Sequence, residues 1–264
     1  AGFLAACPYF DKIRAEERVP LWNPLAWLAL RRWLRGGGFD RVYDLQTSDR
    51  SGWYFRLMGP GRRPEWSGIT PGCSHPHANP GRDFMHSIDR QNEQLAMVGI
   101  EKVPDADLSW MAADTARFGL AERTALLIPG GAPHRLAKRW PVDRYAMLAV
   151  QLAGKGLEPV ILGTAAEADV AREISGACPA ARDLTGQTTI EDIAVLGRRA
   201  EVAIGNDTGP MHLIAAAGCP SVVLFSGASD PALTAPRGPK VTVLRATDLA
   251  TLSVESVEGA LSLR

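Results

Sequence analysis

From Thr124 to the C-terminus, short apolar runs alternate with amphipathic segments, and this alternation leaves the second half of the chain very few architectures. Ala125–Ile128, Pro159–Leu162, Arg182–Leu184, Glu201–Ile204, Ser221–Phe225 and Val241–Leu244 have strand length. Val142–Ala153, Ala165–Ser175, Ile190–Arg199 and Met211–Ala217 lie between them with helical patterning. Tyr145, Leu148, Ala149 and Leu152 recur at the spacing that puts residues on one face of a helix. Thr188 and Glu191 have the spacing of a reciprocal N-terminal cap. Uninterrupted apolar strands separated by helices must be covered on both faces, so the pattern predicts a parallel sheet in a Rossmann-like domain.

The first half is less regular. Asn23-Pro24 reads as a helix cap followed by a proline suited to the first turn, and the apolar helix that follows stops at Gly36-Gly37-Gly38. Its Trp22–Trp33 stretch could rest on a membrane face, although packing of Trp27 and Leu34 into a core explains it better. Phe39 to Leu45 reads as a buried strand, Arg50-Ser51 opens a second helix, and Ser87 to Val98 forms a third, closed by Gly99. Residues 59–83, dense in Gly, Pro and His, read as a long loop. A length of 264 residues accommodates two domains, predicted over 1–118 and 119–264.

Composition removes several functions. The 29 Lys and Arg balance the 29 Asp and Glu, so no charge excess argues for nucleic acid. No apolar run has the length of a membrane span, and no signal peptide is recognised. Cys7, Cys73, Cys178 and Cys219 form no CxxC pair, which predicts buried free thiols in a reducing compartment and no zinc site.

In an open parallel sheet, ligands bind beyond the carboxyl ends of the strands, and the polar constellations fall there. Ile204-Gly205-Asn206-Asp207-Thr208-Gly209-Pro210-Met211-His212 runs from a strand end into a helix. The N–H groups of Thr208, Gly209 and Met211 are predicted to stay free at that helix start, ready for an anion. Asp207 would accept hydrogen bonds from sugar or ribose hydroxyls, or simply cap the helix; His212 would pin the loop. Pro129-Gly130-Gly131-Ala132-Pro133-His134-Arg135-Leu136-Ala137-Lys138-Arg139-Trp140-Pro141 follows the first strand of this half. Gly130 and Gly131 permit close backbone approach, Lys138 can place a positive charge on a phosphate, and Trp140 anchors the next helix. Glu167, after the next strand, could bind ribose or cap its helix, and Thr185 could shape a base pocket. No GxGxxG follows a strand, which argues against a dinucleotide oxidoreductase.

Together PGGAPHRLAKRWP, GTAAEADVA, LTGQTTIEDIAVLGRRA and GNDTGPMHLIAAAGCPSVVLFSGASDP resemble glycosyltransferase family 9, the ADP-heptose–lipopolysaccharide heptosyltransferases. FDRVYDLQTSDRS and HSIDRQNEQLAMVGI resemble that family's acceptor-side segments more loosely. The resemblance implies an α/β, GT-B type fold of two Rossmann-like domains with parallel sheets, the N-terminal one incomplete. It implies donor binding by Lys138, Glu167, Asp207, Thr208, Gly209, His212, Gly130, Gly131 and Thr185. The expected reaction is inverting, metal-independent transfer of a heptose or related sugar from an ADP-sugar to a lipopolysaccharide-core or similar glycan acceptor, with no cofactor. A transferase using another nucleotide sugar, or a donor-binding module without activity, remains as the alternative. The family's general base is an aspartate in a Gly-Asp loop; neither Asp44 nor Asp49 matches it, and the base is expected upstream of Ala1. Arg50 and Arg82, with Arg62 and Arg63 beside them, are the residues an acidic acceptor could meet. The expected partners are a nucleotide sugar and a glycolipid or oligosaccharide acceptor. The expected location is cytoplasmic, with peripheral contact to the inner membrane.

Overall fold

The computed structural model describes residues 3–15, 19–20, 22–61, 63–131 and 135–264. Two compact units divide the chain, residues 14–105 and residues 1–13 together with 106–264.

In the smaller unit α1 (Pro24–Gly36), β1 (Arg41–Tyr43), α2 (Asp49–Leu57), β2 (Glu65–Gly68), β3 (His75–Pro76) and α3 (Ser87–Ala96) follow in order. The strands pair in parallel as β1-β2-β3. Asn23 caps α1 by accepting the N–H of Ala26 at 3.0 Å. Leu30 and Leu34 of α1 are buried with Phe55, Met58 and Trp66, and Trp27 packs against them. Trp22 stays 81% exposed, and Leu25 and Leu28 are exposed too. The segment 59–83 is not all loop: it supplies β2 and β3. Glu65-Trp66-Ser67-Gly68 has no apolar alternation, and its conformation comes from pairing on both sides with β1 and β3. Gln94 of α3 locks this sheet, donating from Nε2 to Asp44 O at 3.0 Å and to Ser67 O at 3.2 Å.

The larger unit contains β4 (Thr124–Ile128), α4 (Val142–Gly154), β5 (Glu158–Ile161), α5 (Ala168–Ala177), β6 (Arg182–Asp183), α6 (Ile190–Arg199), β7 (Val202–Asn206), α7 (Gly209–Ala216), β8 (Ser221–Phe225), α8 (Pro231–Thr234), β9 (Val241–Arg245) and α9 (Val254–Gly259). Its six strands are all parallel in the order β6-β5-β4-β7-β8-β9. The direction of winding therefore reverses between β4 and β7, the switch point at which such sheets open a crevice.

Alternation along the strands sorts the core into two layers. Leu127, Ile204, Val222 and Leu224 pack with Tyr145 and Leu148 of α4, Ile174 of α5 and Val257 of α9. Leu126, Ile128, Val223 and Phe225 pack with Leu196 of α6 and Met211 and Ile214 of α7 on the other side. Each such buried side chain contributes about 1.5–3 kcal/mol. Residues 106–118, which the sequence groups with the first half, lie with this unit: Phe118 joins the second layer, and Arg198 donates to Leu108 O at 2.7 Å and to Met111 O. Tyr9 ties the N-terminal segment to the same strap, donating to Asp107 at 2.6 Å. The four cysteines are free and buried.

The cap of α6 falls one residue later than the spacing suggests. Thr189 Oγ1 accepts the N–H of Asp192 at 3.2 Å, and Asp192 Oδ2 accepts the N–H of Thr189 at 2.8 Å. Burial alone would raise the Asp192 pKa, but hydrogen bonds from Arg117, at 2.6 Å, and from Thr189 outweigh it and hold the carboxyl below its ordinary value. A depressed folded-state pKa contributes stability that is complete above the unfolded value of about 3.9 and is lost as pH falls through the folded one. Asp192→Asn is therefore expected to flatten the loss of stability below about pH 4. Acid unfolding as steep in the variant as in the parent would remove Asp192 from that role.

Candidate functional site

The site is assembled from the residues that follow β4, β5, β6 and β7. A cavity of about 950 Å³ opens there, within the range for small-molecule and cofactor sites. Ile128, Leu162, Ile190, Ile193 and Pro210 form its apolar wall. Gly130, Gly131, Arg135, Lys138, Glu167, Asp207, Thr208 and Gly209 supply charge and backbone, and residues 163–166 with Gly186, Thr188 and Thr189 complete the lining.

Asn206, at the end of β7, sets the geometry. It is fully buried. Its Oδ1 accepts the N–H of Trp140 at 3.0 Å and lies 3.2 Å from the Tyr145 hydroxyl. Its Nδ2 donates to Pro129 O at 2.8 Å and Gly130 O at 3.1 Å. The loop between β4 and α4 is thereby fastened to β7 at both ends. Burial pushes the Tyr145 phenol up in pKa, so it stays protonated in this network. Trp140 is core, as the sequence suggests: its ring stands edge-on to Tyr145 at 4.9 Å and its indole donates to Leu252 O at 2.9 Å.

Lys138 ends a short turn, Leu136–Lys138, and its Nζ lies 2.6 Å from Asp207 Oδ2, the two side chains being 12% and 8% exposed. Sequence reasoning placed each of these near a ligand; the structure brings them together as a pair. Beside them α7 begins at Gly209, with Thr208 as its N-cap. The N–H of Met211 is not free, since it donates to Thr208 O at 3.1 Å. Thr208 and Gly209 precede the first intrahelical donors, and both line the cavity. The Thr208 hydroxyl is buried and has no hydrogen-bond partner among the described residues. Gly205 lets the helix settle on the sheet, because a Cβ there would fall 2.6 Å from Met211 Sδ and 2.7 Å from Ile128 Cβ.

Glu167 does what a cap does and more. Its Oε2 accepts the N–H of Thr164 at 2.9 Å and the Thr164 hydroxyl at 2.6 Å. Its Oε1 lies 3.7 Å from an Arg139 nitrogen, and Arg139 also donates to Gly131 O at 2.5 Å. Gly130 and Gly163 make room for this carboxylate: a Cβ on either would come within 3.0 and 3.1 Å of its side chain.

Other expected residues lie outside the lining. Thr185 turns its hydroxyl to Asp183, 2.7 Å away. His212 is exposed on the first turn of α7. Arg50 and Arg82 belong to the smaller unit, where Arg50 donates to the Tyr54 hydroxyl at 2.9 Å and Arg82 to Thr47 Oγ1 at 3.0 Å. Arg63 donates to Gly59 O. Arg62 and loop residues 132–134 lie outside the described residues. The single Asp-x-Asp spacing, Asp105-Ala106-Asp107, is remote from this cavity in sequence, and Asp107 is engaged by Tyr9 and by the N–H of Ser109 at 2.8 Å. Among the described residues no group of three or more His, Cys, Asp or Glu is placed to hold a metal ion. Nor is any helix long and apolar enough to cross a membrane. Sequence reasoning passed over Asn206 and Arg139; the one signal for Asn206 is an amide at the end of an otherwise apolar strand.

A doubly wound parallel sheet with a charged cavity at its switch point is the arrangement in which α/β proteins place small-molecule sites, at the carboxyl edge of the strands. Residues 27–260 match glycosyltransferase family 9 (heptosyltransferase), and the chain belongs to that family. Lipopolysaccharide heptosyltransferase 2 of Salmonella typhimurium is 35% identical over 150 residues, covering 54% of this chain and 42% of that protein. Its counterpart from Escherichia coli K12 is 35% identical over 135 residues, covering 49% and 38%. The chain thus matches about two fifths of the length of these relatives. Among solved structures, the E. coli ADP-heptose lipopolysaccharide heptosyltransferase II superposes with a TM-score of 0.70 at 24% identity, over 89% of this chain and 78% of that one. A family 9 glycosyltransferase from Veillonella parvula superposes with a TM-score of 0.76 at 18% identity, over 98% and 84%. The fold is the α/β, GT-B type with parallel sheets that the sequence leads one to expect.

Proposed function

We propose that this chain acts in a glycosyltransferase that moves a heptose or related sugar from an ADP-sugar to a lipopolysaccharide-core or similar glycan acceptor. The observation that carries the reading is the cavity at the β4–β7 switch point, where Lys138 and the start of α7 meet. The names of the relatives support the sugar and the acceptor class. Support for the donor comes from an E. coli heptosyltransferase, WaaC, solved with ADP and with ADP-2-deoxy-2-fluoro heptose.

In this reading the nucleoside lies against the apolar wall and the diphosphate sits at the mouth. Lys138 and the N–H groups of Thr208 and Gly209 hold the phosphate oxygens, Asp207 accepts from sugar hydroxyls, and the Oε1 of Glu167 accepts from ribose. An acceptor hydroxyl gives its proton to a general base, and its oxygen attacks the anomeric carbon on the face opposite the ADP and inverts it. As the bond from that carbon to the diphosphate breaks, negative charge grows on the leaving oxygen, and the donors fixed around it stabilise that charge most. No described residue is assigned the general base. Peripheral work at the cytoplasmic face of the inner membrane belongs to the proposal and is supported by the exposed Trp22, Leu25 and Leu28.

Calorimetric titration with ADP tests the site. The parent chain is expected to bind ADP, and Lys138→Ala to bind it about ten- to a hundredfold more weakly, the range of one charge-assisted hydrogen bond. A parent chain that ignores ADP, or a Lys138→Ala variant that binds it unchanged, overturns the assignment. Equal affinity for UDP and GDP would remove the adenine specificity.

A further inference from the structure

Among the described residues four ionisable side chains line the cavity: Arg135, Lys138, Glu167 and Asp207. Three of them are matched, one by Arg139, which is not itself in the lining. Lys138 is held by Asp207 at 2.6 Å. Glu167 faces Arg139 at 3.7 Å. Arg135 differs from all of these. It is exposed, lines the cavity, and makes no hydrogen bond or ion pair through its side chain with any described residue. It also stands on the same short turn as Lys138, whose N–H donates to the Arg135 carbonyl at 3.0 Å.

The charge balance gives this arrangement a consequence. A nucleotide diphosphate ester brings two phosphate charges to the mouth of the cavity. Each internal pair cancels, so among the described residues that line the cavity Arg135 carries the positive charge with no opposing partner. A guanidinium also offers a planar fork of donors that matches two phosphate oxygens at once, where an ammonium acts as a point charge. Resting on the donor-site reading above, we infer that Arg135 is a diphosphate-binding residue. It meets the phosphates as the ligand enters and adds an unopposed positive charge to that of Lys138, which Asp207 partly offsets. Being exposed and unengaged beforehand, it loses side-chain freedom on closing, which limits its effect to a moderate one.

Titrations of the parent, Arg135→Gln and Arg135→Lys with ADP and with adenosine test this. Arg135→Gln is expected to weaken ADP binding by about tenfold at low ionic strength and to make it less sensitive to added salt. Adenosine, which has no phosphate, is expected to bind all three proteins equally, and Arg135→Lys to recover part of the ADP affinity. Thermal unfolding should not change, since the side chain engages none of the described residues. ADP binding by Arg135→Gln equal to the parent's would overturn the inference and leave the donor site standing. A matching loss for adenosine would also overturn it, by showing a role in shaping the loop. Failure of the parent to bind ADP would overturn the donor-site reading itself, and this inference with it.

Discussion

Replacing Asn206 with leucine is expected to destabilise the larger unit by about 3–5 kcal/mol, the range seen when a buried network loses its central member. It leaves behind the N–H of Trp140 and the carbonyls of Pro129 and Gly130, all in buried residues, while the Tyr145 hydroxyl keeps only its 3.3 Å contact with Ile128 O. Leucine fills the volume and satisfies none of them. At about 2–4 °C per kcal/mol for a unit of this size, the midpoint of thermal unfolding should fall by about 10 °C. Asn206→Asp keeps the two accepting contacts and turns an oxygen toward two carbonyls, so it should not restore the parent's stability. Differential scanning calorimetry is the check. A leucine variant melting with the parent would mean that the amide does not hold the loop.

The second large effect concerns Gly205. An added methyl would lie 2.7 Å from Ile128 Cβ, part of a fully buried strand, and 2.6 Å from Met211 Sδ. The sulfur can move; the strand cannot move without loss of its pairing. Gly205→Ala should cost about 1–3 kcal/mol through overpacking, and Gly205→Val more. Because Met211 belongs to the first turn of α7, relief of the clash lifts the helix start away from the cavity, and ADP affinity should fall together with stability. Gly209 is the matched control, since a Cβ there meets nothing within 4 Å. Gly209→Ala should unfold like the parent. Equal stability of Gly205→Ala and Gly209→Ala would refute the close packing of helix on strand.

Most of the larger unit was legible in advance because its strands are uninterrupted apolar runs, which only a sheet covered on both faces can accommodate. The strands that escaped notice, Glu65–Gly68 and His75–Pro76, are short and carry little apolar patterning; neighbours hold them in place. The spacing puts the cap of α6 one residue early because Thr188 and Thr189 precede Glu191 and Asp192, so the rule fits both registers. Packing decides between them: Asp192 is buried against Arg117, and Thr188 is left to line the cavity. At the site, the motif residues around Lys138 and Asp207 could be read as polar groups at strand ends. Their mutual pairing could not, since it spans two loops from distant parts of the chain. The same holds for Asn206, whose partners lie near β4 and α4, and for Arg135, whose isolation is a property of three-dimensional surroundings.

The strand order has a consequence for how the cavity comes into being. β4 is the first strand of its sheet to be synthesised, yet one of its two flanks stays open until β7 emerges, after three helices and two further strands. Pairings between such distant segments form slowly and leave apolar edges exposed in the meantime. Asp207, Thr208, Gly209 and Pro210 all come from the turn after β7, so a nascent chain that has not reached β7 lacks that side of the mouth and the partner of Lys138. Nucleotide-dependent protection from proteolysis would then mark the moment at which this sheet closes around its centre.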